Sequence, residues 1–432
     1  MSELIRREDA LLYLCKYKIA NLIFMCQDEY FRCEPSNVLA IEYMCDYEFN
    51  LRAAVKVSLQ IDVRRKLWIM KHKRDITCKF ELSKIGMDLD VEQFNTAMEE
   101  VWNKEFGVYM NDDDENSDLD TLEKRLEVNE EDHPSMSELE TENYYESQNL
   151  LDVYLFNQDL VDASKKMVNV VLTKDTIQAL VGRLLTQTGH KDSVLISSME
   201  NGEVYTEELV PALPLYTALA YLDQYYGFYK KGSVIFYDWD VLYIINANGK
   251  VTAKRKDEWP ETNIIVNRLM DATPGDGMIR IPDEKVFYVS VSEANVQVQK
   301  PSIDKNVELG SEAKIVISDD VTIEFDQADQ SYVNQRNEQL VYRRKADNKY
   351  SLEMIKTRLA ENECIMYLSA NNLDINAFTP NKTYKFVYDN QTKQAKYGKY
   401  RFRLVYAYHM IRAESTEFMS SAHRLIFKRC PD

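Results

Sequence analysis

Two stretches in the first hundred residues alternate between apolar and polar side chains. The apolar positions are Val55, Val57, Leu59 and Ile61 in the first stretch and Ile76, Cys78, Phe80 and Leu82 in the second. Because successive side chains of a strand point to opposite faces, each stretch predicts a strand with one buried face. Their separation by a turn near Lys71–Asp75 predicts that the two strands form a hairpin.

A different period marks the segment Leu209–Ile245. Its apolar residues recur at three- and four-residue steps, at Leu215, Ala218, Leu219, Leu222 and Tyr226. This spacing predicts a helix with one apolar face. Pro211 and Pro214 precede the helix, and Gly227 can take the positive φ that ends it.

Short strand-like runs follow this helix. Val234–Tyr237 and Val241–Ile245 are separated by Asp238-Trp239-Asp240, and Asn248-Gly249 then predicts a type I′ turn. The segment therefore predicts a compact unit of one helix and a hairpin.

The preceding region predicts the same order of elements. Thr173 is expected to cap a helix that runs to about Thr188 and ends at Gly189. Ser193–Glu207 then carries an Asn201-Gly202 turn between two strand-like arms. The order helix, hairpin, helix, hairpin is compatible with a weak internal repeat.

Several further elements are predicted from shorter patterns. A helix is expected at Val91–Phe106, with Phe94, Met98, Val101 and Trp102 on one side, and a short helix is expected around Leu352, Ile355 and Leu359. Strands are expected where apolar residues alternate, at Phe287, Val289 and Val291 and at Val321, Ile323 and Phe325.

The C-terminal part predicts more strands, near Cys364–Leu368, Thr383–Tyr388, Tyr400–Ile411 and Leu425–Lys428. The strand near Tyr400–Ile411 is expected to have two unlike faces. One face is aromatic, with Tyr400, Phe402, Leu404, Tyr406 and Tyr408, and the other is partly basic, with Arg401, Arg403 and Val405.

These elements predict an α+β fold in which two β-barrel modules are interleaved with smaller α/β domains. With 432 residues the chain is long enough for two to four domains. The predicted segments are a first β-barrel module with a flanking helix at 1–110, an acidic insertion at 111–149, an α/β domain at 150–255, a second β-barrel module at 256–345, and a β-rich segment at 346–432 that completes the barrel or an accessory domain.

Charge is concentrated in one segment. The chain has a formal net charge of −18, and residues 111–148 hold 15 acidic and two basic residues. Dense like charge with few apolar residues predicts a solvated, flexible segment. Asp112-Asp113-Asp114-Glu115 lacks the spaced ligands and central glycine of a calcium loop. An acidic total also argues against nucleic acid as a ligand, because phosphate binding needs a basic surface.

Cysteine and histidine spacings predict no metal site. The seven cysteines include no CxxC pair and the five histidines no HExxH motif, which argues against a disulfide framework and a zinc site. The longest apolar run, Ile19–Cys26, is too short to span a bilayer, and the first residues do not have the pattern of a secretory signal.

Catalytic motifs are missing from the sequence, with no GxSxG, phosphate-binding loop or GxGxxG. Asp238 and Asp240 could pair as catalytic carboxylates or metal ligands, but more simply cap a turn. Glu207-Glu208 fits a charge at a helix N-terminus, and His409 and His423 fit packed strand residues. We therefore expect no enzyme, no catalytic or metal-binding residue and no cofactor.

Tyrosine is abundant, with 28 residues against 16 phenylalanines. Tyrosine is enriched in protein interfaces because it buries apolar area and keeps a hydrogen-bonding hydroxyl. Half-buried strands also favour tyrosine, so an assembly protein and an ordinary β-rich protein both remain open on this observation.

Three stretches resemble the baseplate hub family of phage tails, the late-control-protein-D-like proteins. They are Val38–Asp62, Leu213–Ile245 and Asn381–Ile411. Leu213–Ile245 is the specific match, with a helix, a Tyr-Tyr-Gly stop and an FYDWDVLYII hairpin. Ala53 and Ala54 stand where the family pattern has a proline.

The resemblance implies a non-enzymatic virion protein, assembled in the host cytoplasm. It would be a homotrimeric hub in the tail baseplate that adapts a sixfold tail tube to a threefold central spike, leaves a channel for DNA and contacts baseplate wedge or tape-measure proteins. It implies no sequence-specific nucleic acid binding and no membrane span. The alternatives are a hexameric tail-tube or distal-tail adaptor and, in another class, a peptidoglycan- or glycan-cleaving tail enzyme.

Overall fold

The protein is described by a computed structural model. The residues described are 11–48, 54–72, 75–88, 98–110, 150–189, 194–196, 198–238, 241–247, 262–267, 277–280, 287–299, 322–324, 343–345, 350, 354, 357, 361, 364–378, 380, 383–388, 390–414 and 418–430.

Strands dominate the described residues. The first group is β1 (Leu11–Cys26), β2 (Glu29–Arg32), β3 (Val38–Asp46), β4 (Ala54–Gln60), β5 (Thr77–Asp88), β6 (Met98–Tyr109) and β7 (Leu150–Phe156). The second is β8 (Met167–Thr176), β9 (Val194–Ile196), β10 (Val204–Pro214), β11 (Ser233–Asp238) and β12 (Val241–Asn246). The third is β13 (Thr262–Asn267), β14 (Gly277–Arg280), β15 (Phe287–Ser292), β16 (Val296–Gln299), β17 (Thr322–Glu324) and β18 (Arg343–Lys345). The last is β19 (Ile365–Asn371), β20 (Thr383–Tyr388), β21 (Phe402–Ala413) and β22 (Met419–Arg429).

The helices are α1 (Val63–Lys71), α2 (Gln158–Lys165), α3 (Ile177–Thr188), α4 (Leu215–Tyr226) and α5 (Gln391–Tyr397). Met354, Thr357 and Glu361 are also helical. The α+β class predicted from the sequence is confirmed.

Eight strands pair in a closed ring in the order β1, β5, β6, β7, β4, β3, β21, β22 and back to β1. Every pairing in this ring is antiparallel. Its core is filled with side chains, as expected for a barrel of eight strands. The ring takes strands from three of the five segments predicted from the sequence.

A second closed circuit of pairings shares three strands with the first. It runs β1, β14, β15, β13, β20, β21, β22 and back to β1. The strands β13 and β15, and β13 and β20, are parallel. All of these strands belong to one sheet of 15 strands, so the two circuits are fused along β1, β21 and β22.

Between β1 and β22 the paired residues are Tyr17 and Met419. Beside this pairing, the backbone of Asn372 bridges the two strands, because the Cys15 N–H donates to its carbonyl at 2.8 Å and its own N–H donates to the Ser421 carbonyl at 2.8 Å. The following residues, Leu373 and Ile375, are buried in the barrel core.

The α/β unit packs its two longer helices on strands. Helices α3 and α4 share a core with the ribbon β8–β10 and the sheet β9–β12–β11. That sheet is buried on both faces: Ile235 and Ile244 pack in this core, whereas Val234 and Phe236 pack in the barrel core. This explains why both of its longer strands are almost continuously apolar.

Both predicted ends of helix α4 and the predicted C-terminal end of helix α3 are confirmed, whereas the N-terminal cap of α3 lies three residues later than predicted. Helix α4 spans Leu215–Tyr226 and is followed by Gly227, at φ 70°. Helix α3 is capped by Thr176, whose hydroxyl accepts from the Ala179 N–H, and not by Thr173. Thr173 instead lies in β8, opposite Glu207.

Three predictions of local structure were wrong. Val91–Phe106 was predicted as a helix, but Met98–Tyr109 forms β6. The strands around Val57 and Phe80 do not form a hairpin, because helix α1 lies between them and β4 pairs with β3 and β7. The arms around Asn201 do not pair with each other, since β9 joins β12 and β10 joins β8.

Other predictions lie outside the described residues. They are the acidic segment 111–148, the Asn248-Gly249 turn, Asp240 and the apolar positions Leu352, Ile355 and Leu359. The predicted strands at Phe287–Val291 and Val321–Phe325 correspond to β15 and, in part, to β17.

Candidate assembly surface

A β-bulge in β21 decides which aromatic side chains reach the surface. Leu404 pairs with Phe427 of β22, but the next pair is Tyr406 with Ile426, so Val405 is an extra residue. Its carbonyl accepts from the Tyr47 N–H at 2.9 Å. A bulge exchanges the two faces of a strand for all residues beyond it.

The predicted aromatic face is therefore divided. Phe402 and Leu404 lie in the barrel core, whereas Tyr406 and Tyr408 are half-buried on the opposite face. Beyond the bulge, Ala407, His409 and Ile411 take the buried positions. The predicted basic face is also wrong for Arg403, which is buried.

Tyr406 and Tyr408 line a groove of about 530 Å³ on the outer face of the sheet. Across the strands, Tyr406 lies opposite Ile426, which lies opposite Tyr367 of β19. In the next row Tyr408 lies between Met44 of β3 and Arg424 of β22. The remaining lining residues are Ala294, Asn295, Gln297, Leu368, Ser369 and Leu425.

The groove presents aromatic rings with a few polar groups. The hydroxyl of Tyr408 donates to Oε2 of Glu42 at 2.7 Å, and desolvation together with that carboxylate raises the pKa of Tyr408 to about 12. Arg424 is exposed at one side, and the side chain of Met44 is 48% exposed. Tyrosine, arginine and methionine are the residues enriched in protein interfaces.

Sequence reasoning identified the tyrosines of β21 but not their partners in the groove. Tyr367, Arg424 and Met44 come from three other strands, and each is unremarkable in its own local pattern. Only the register of the sheet places them together, so no local signal in the sequence could have found them.

The two histidines considered in the sequence are buried and adjacent. His409 and His423 lie in the core of the barrel, and Nε2 of His423 is 2.9 Å from the Ser421 hydroxyl. This is a serine beside an imidazole, but all three side chains are packed among core residues such as Tyr43 and Phe378. A substrate has no access to a site enclosed in this way.

The structure does not join the other candidate residues into a site. Asp238 pairs with Val241 in the β11–β12 ladder, Glu207 and Glu208 lie in β10, and Asp240 is outside the described residues. Within the described part of the chain, no group of three histidine, cysteine, aspartate or glutamate residues is placed to hold a metal ion. No helix in that part is long and apolar enough to cross a membrane.

Residues 64–430 match a family model described as the bacteriophage PBS1 gene 109 protein. The match covers most of the chain and includes the bulge, the buried histidines and every lining residue of the groove except Met44. None of the curated proteins compared with the chain matches it.

Three solved structures resemble the fold at a distance. The tail protein from Neisseria meningitidis MC58 is 8% identical, with 96% of each chain covered and a TM-score of 0.46. The prophage tail protein gp18 from Listeria monocytogenes EGD-e is 9% identical, with 95% and 94% covered and a TM-score of 0.40. The E. coli c3393 protein, a component of the type VI secretion system, is 7% identical, with 95% and 76% covered and a TM-score of 0.39.

Proposed function

Because the chain belongs to the family of the bacteriophage PBS1 gene 109 protein, we propose that it is a structural protein of a phage tail. Its place would be the baseplate, where it forms a trimeric hub at the distal end of the tail tube. The hub adapts the sixfold tube to a threefold central spike and leaves a channel for DNA. We also propose the five segments predicted from the sequence, 1–110, 111–149, 150–255, 256–345 and 346–432, as the domains of this hub.

One observation carries the proposal: each chain has two closed circuits of strand pairing fused along β1, β21 and β22. Two barrel-like units in one chain become six in a trimer. Such a trimer can stack on a ring of six subunits and still present threefold symmetry on its other side. A chain with a single barrel would need six copies to place one barrel on each of the six subunits of the ring.

The groove on the outer face of the sheet supports a role in assembly. Tyr367, Tyr406 and Tyr408 offer large, rigid side chains that bury area with little loss of side-chain entropy, and Arg424 adds five hydrogen-bond donors. We assign the groove to a neighbouring tail protein, whether tube, spike, wedge or tape-measure protein. Residues 111–148 carry a net charge of −13 of the total of −18, so the rest of the chain has only −5. The absence of a strong positive charge there fits a channel through which DNA passes without being retained.

The first test is the mass of the purified full-length protein, measured by light scattering over a range of concentrations. A trimer near three times 50.6 kDa is expected. A stable hexamer would contradict the hub assignment and favour a tube or adaptor ring.

The groove is tested separately by complementing virions that lack the wild-type protein. Tyr408→Ala should reduce incorporation of the protein into tails, whereas Tyr109→Ala, which removes a half-exposed tyrosine outside the groove, should not. Equal incorporation of both variants would contradict the assignment of the groove.

A further inference from the structure

The groove on the outer face of the sheet is built from two rows of side chains that cross the strands. The first row takes one residue each from β16, β19, β22 and β21, namely Gln297, Tyr367, Ile426 and Tyr406. The second row takes one residue each from β19, β22, β21 and β3, namely Ser369, Arg424, Tyr408 and Met44. The groove therefore runs across the strands and not along them.

The spacing of the rows sets the shape of an occupant. Neighbouring strands lie about 4.8 Å apart, so a row that crosses four strands is about 14 Å long. Residues two positions apart on one strand are about 7 Å apart, which separates the two rows. An extended segment of four or five residues is about 14–16 Å long, whereas a helix with its side chains is about 10–12 Å wide. The groove of about 530 Å³ therefore matches a short extended segment more closely than a helix.

Arg424 is the only charged residue among the described residues that line the groove. Its guanidinium makes no hydrogen bond or ion pair with any described residue. The nearby carboxylate of Glu42 is already engaged, because Oε2 accepts from the Tyr408 hydroxyl at 2.7 Å and Oε1 lies 3.6 Å from Nζ of Lys56. The groove therefore has a positive charge with five N–H donors that its own walls do not use.

Aromatic and apolar side chains surround this charge. Tyr408 lies next to Arg424 in the second row, and Tyr367 and Tyr406 lie on either side of Ile426 in the first. Among the described residues, the hydroxyls of Tyr367 and Tyr406 have no hydrogen-bond partner. An occupant that covers these rings also removes water from Arg424, and a guanidinium then pairs strongly with a carboxylate through two parallel hydrogen bonds.

We propose that the groove binds an extended segment of another tail protein that carries an aspartate or glutamate between apolar residues. This inference rests on the proposed function, which assigns the groove to a neighbouring tail protein. Successive side chains of an extended segment point to opposite sides. The carboxylate therefore faces the second row and pairs with Arg424, while the residues before and after it face the first row and pack on Tyr367, Ile426 and Tyr406.

The first test is photo-cross-linking in assembled tails. The full-length protein, with p-benzoylphenylalanine at position 406 or 367, is supplied to virions that lack the wild-type protein. After irradiation, the cross-linked peptide is sequenced by mass spectrometry. The expected product is a segment of another tail protein with an aspartate or glutamate within two residues of the cross-linked position.

Other products would overturn the inference. They are a segment without a carboxylate, residues 111–148 of this chain, DNA, or no cross-link from either position in tails that contain the protein. A cross-link to a segment without a carboxylate would leave the proposed function intact. Failure of the wild-type protein to enter tails at all would contradict the proposed function itself.

The second test reverses the charge on each side of the contact. Arg424→Glu should raise the protein concentration that gives half-maximal incorporation into tails at least tenfold, the value of one hydrogen bond to a charged group. Arg412→Glu, at an exposed position of β21 outside the lining, is the matched control and should leave it unchanged. Lysine in place of the partner's carboxylate should restore incorporation of Arg424→Glu. Wild-type incorporation of Arg424→Glu, or no restoration by the partner's lysine, would overturn the proposal.

Discussion

His409 of β21 and His423 of β22 face each other across the strand pair, with their Nδ1 atoms 2.7 Å apart in the core of the barrel. One ring must donate and the other accept, so the pair is satisfied only while at least one imidazole is neutral. Desolvation holds the pKa of both below the ordinary value, to about 4 for His423, and the neighbouring His423 lowers that of His409 further.

Acid should therefore destabilise the barrel. An unfolded histidine binds a proton near pH 6.5, whereas folded His423 does so near pH 4. Between these values the unfolded state holds more protons, so the free energy of unfolding falls as the pH falls, by about 3 kcal/mol for this one residue. Urea titrations from pH 7.5 to pH 4 measure the loss.

Replacing the pair should remove part of this pH dependence. The double variant His409→Gln/His423→Gln is expected to lose stability at pH 7 but to show a smaller further loss on acidification. His72→Gln, at the half-buried end of helix α1, serves as the control and should keep the wild-type slope. A wild-type slope in the double variant would contradict the role of the pair.

Because of the bulge at Val405, alanine substitutions at two aromatic residues four positions apart should lower the free energy of unfolding by unequal amounts. Phe402 is fully buried and packs edge-to-face on Phe386, so Phe402→Ala should lower the free energy of unfolding by about 3–5 kcal/mol. Tyr406 lies on the outer face, and Tyr406→Ala should cost about 1 kcal/mol. Chemical denaturation measures both, and equal costs would mean that β21 alternates without a bulge.

Two glycines of helix α3 should respond in opposite directions to alanine. Gly189 ends the helix at φ 88°, a conformation that a Cβ disfavours, and Gly189→Ala should destabilise by about 1 kcal/mol. Gly182 lies inside the helix with open space around the position of a Cβ, and Gly182→Ala should stabilise by up to about 1 kcal/mol. Thermal unfolding of the two variants is the measurement, and shifts of the same sign would contradict the assigned end of α3.

Tyr17 holds the segment that bridges β1 and β22. Its hydroxyl donates to the Leu373 carbonyl at 2.9 Å and accepts from the Ile375 N–H at 2.9 Å. Tyr17→Phe removes both hydrogen bonds and leaves the Ile375 N–H without its hydroxyl partner in the core, which should cost about 1–3 kcal/mol. Hydrogen exchange should show reduced protection of the Cys15 and Asn372 amides, and Tyr109→Phe, at a half-exposed position, should leave it unchanged.

The buried face of β4 and the ends of helix α4 could be predicted because they depend on residues that are close together in the sequence. Val55, Val57 and Leu59 are all fully buried on one side of β4, as their alternation indicated. Helix α4 begins after Pro214 and ends before Gly227 because these residues restrict or permit the local φ. Such features need no information about distant parts of the chain.

Strand identity and pairing were predicted poorly where two periods coincide. Trp102 and Phe106 are four residues apart, a spacing that puts side chains on one face of a helix and also on one face of a strand. This segment forms a strand and not a helix because its backbone pairs with β5 on one side and with β7 on the other. The β4–β5 hairpin failed for a related reason: alternation identifies a buried face but does not name the partner strand.

The sequence by itself thus determined the buried face of β4, both ends of helix α4, the C-terminal end of helix α3 and the resemblance to phage proteins. Tertiary structure alone decided the closed circuits of strands, the bulge at Val405 and the groove that Tyr406 and Tyr408 line. The physical reason is that the spacing of apolar residues and the capping of a helix depend only on residues within a few positions of one another in the sequence. Register and cavities depend instead on long-range pairing, whose free energy is shared among residues hundreds of positions apart.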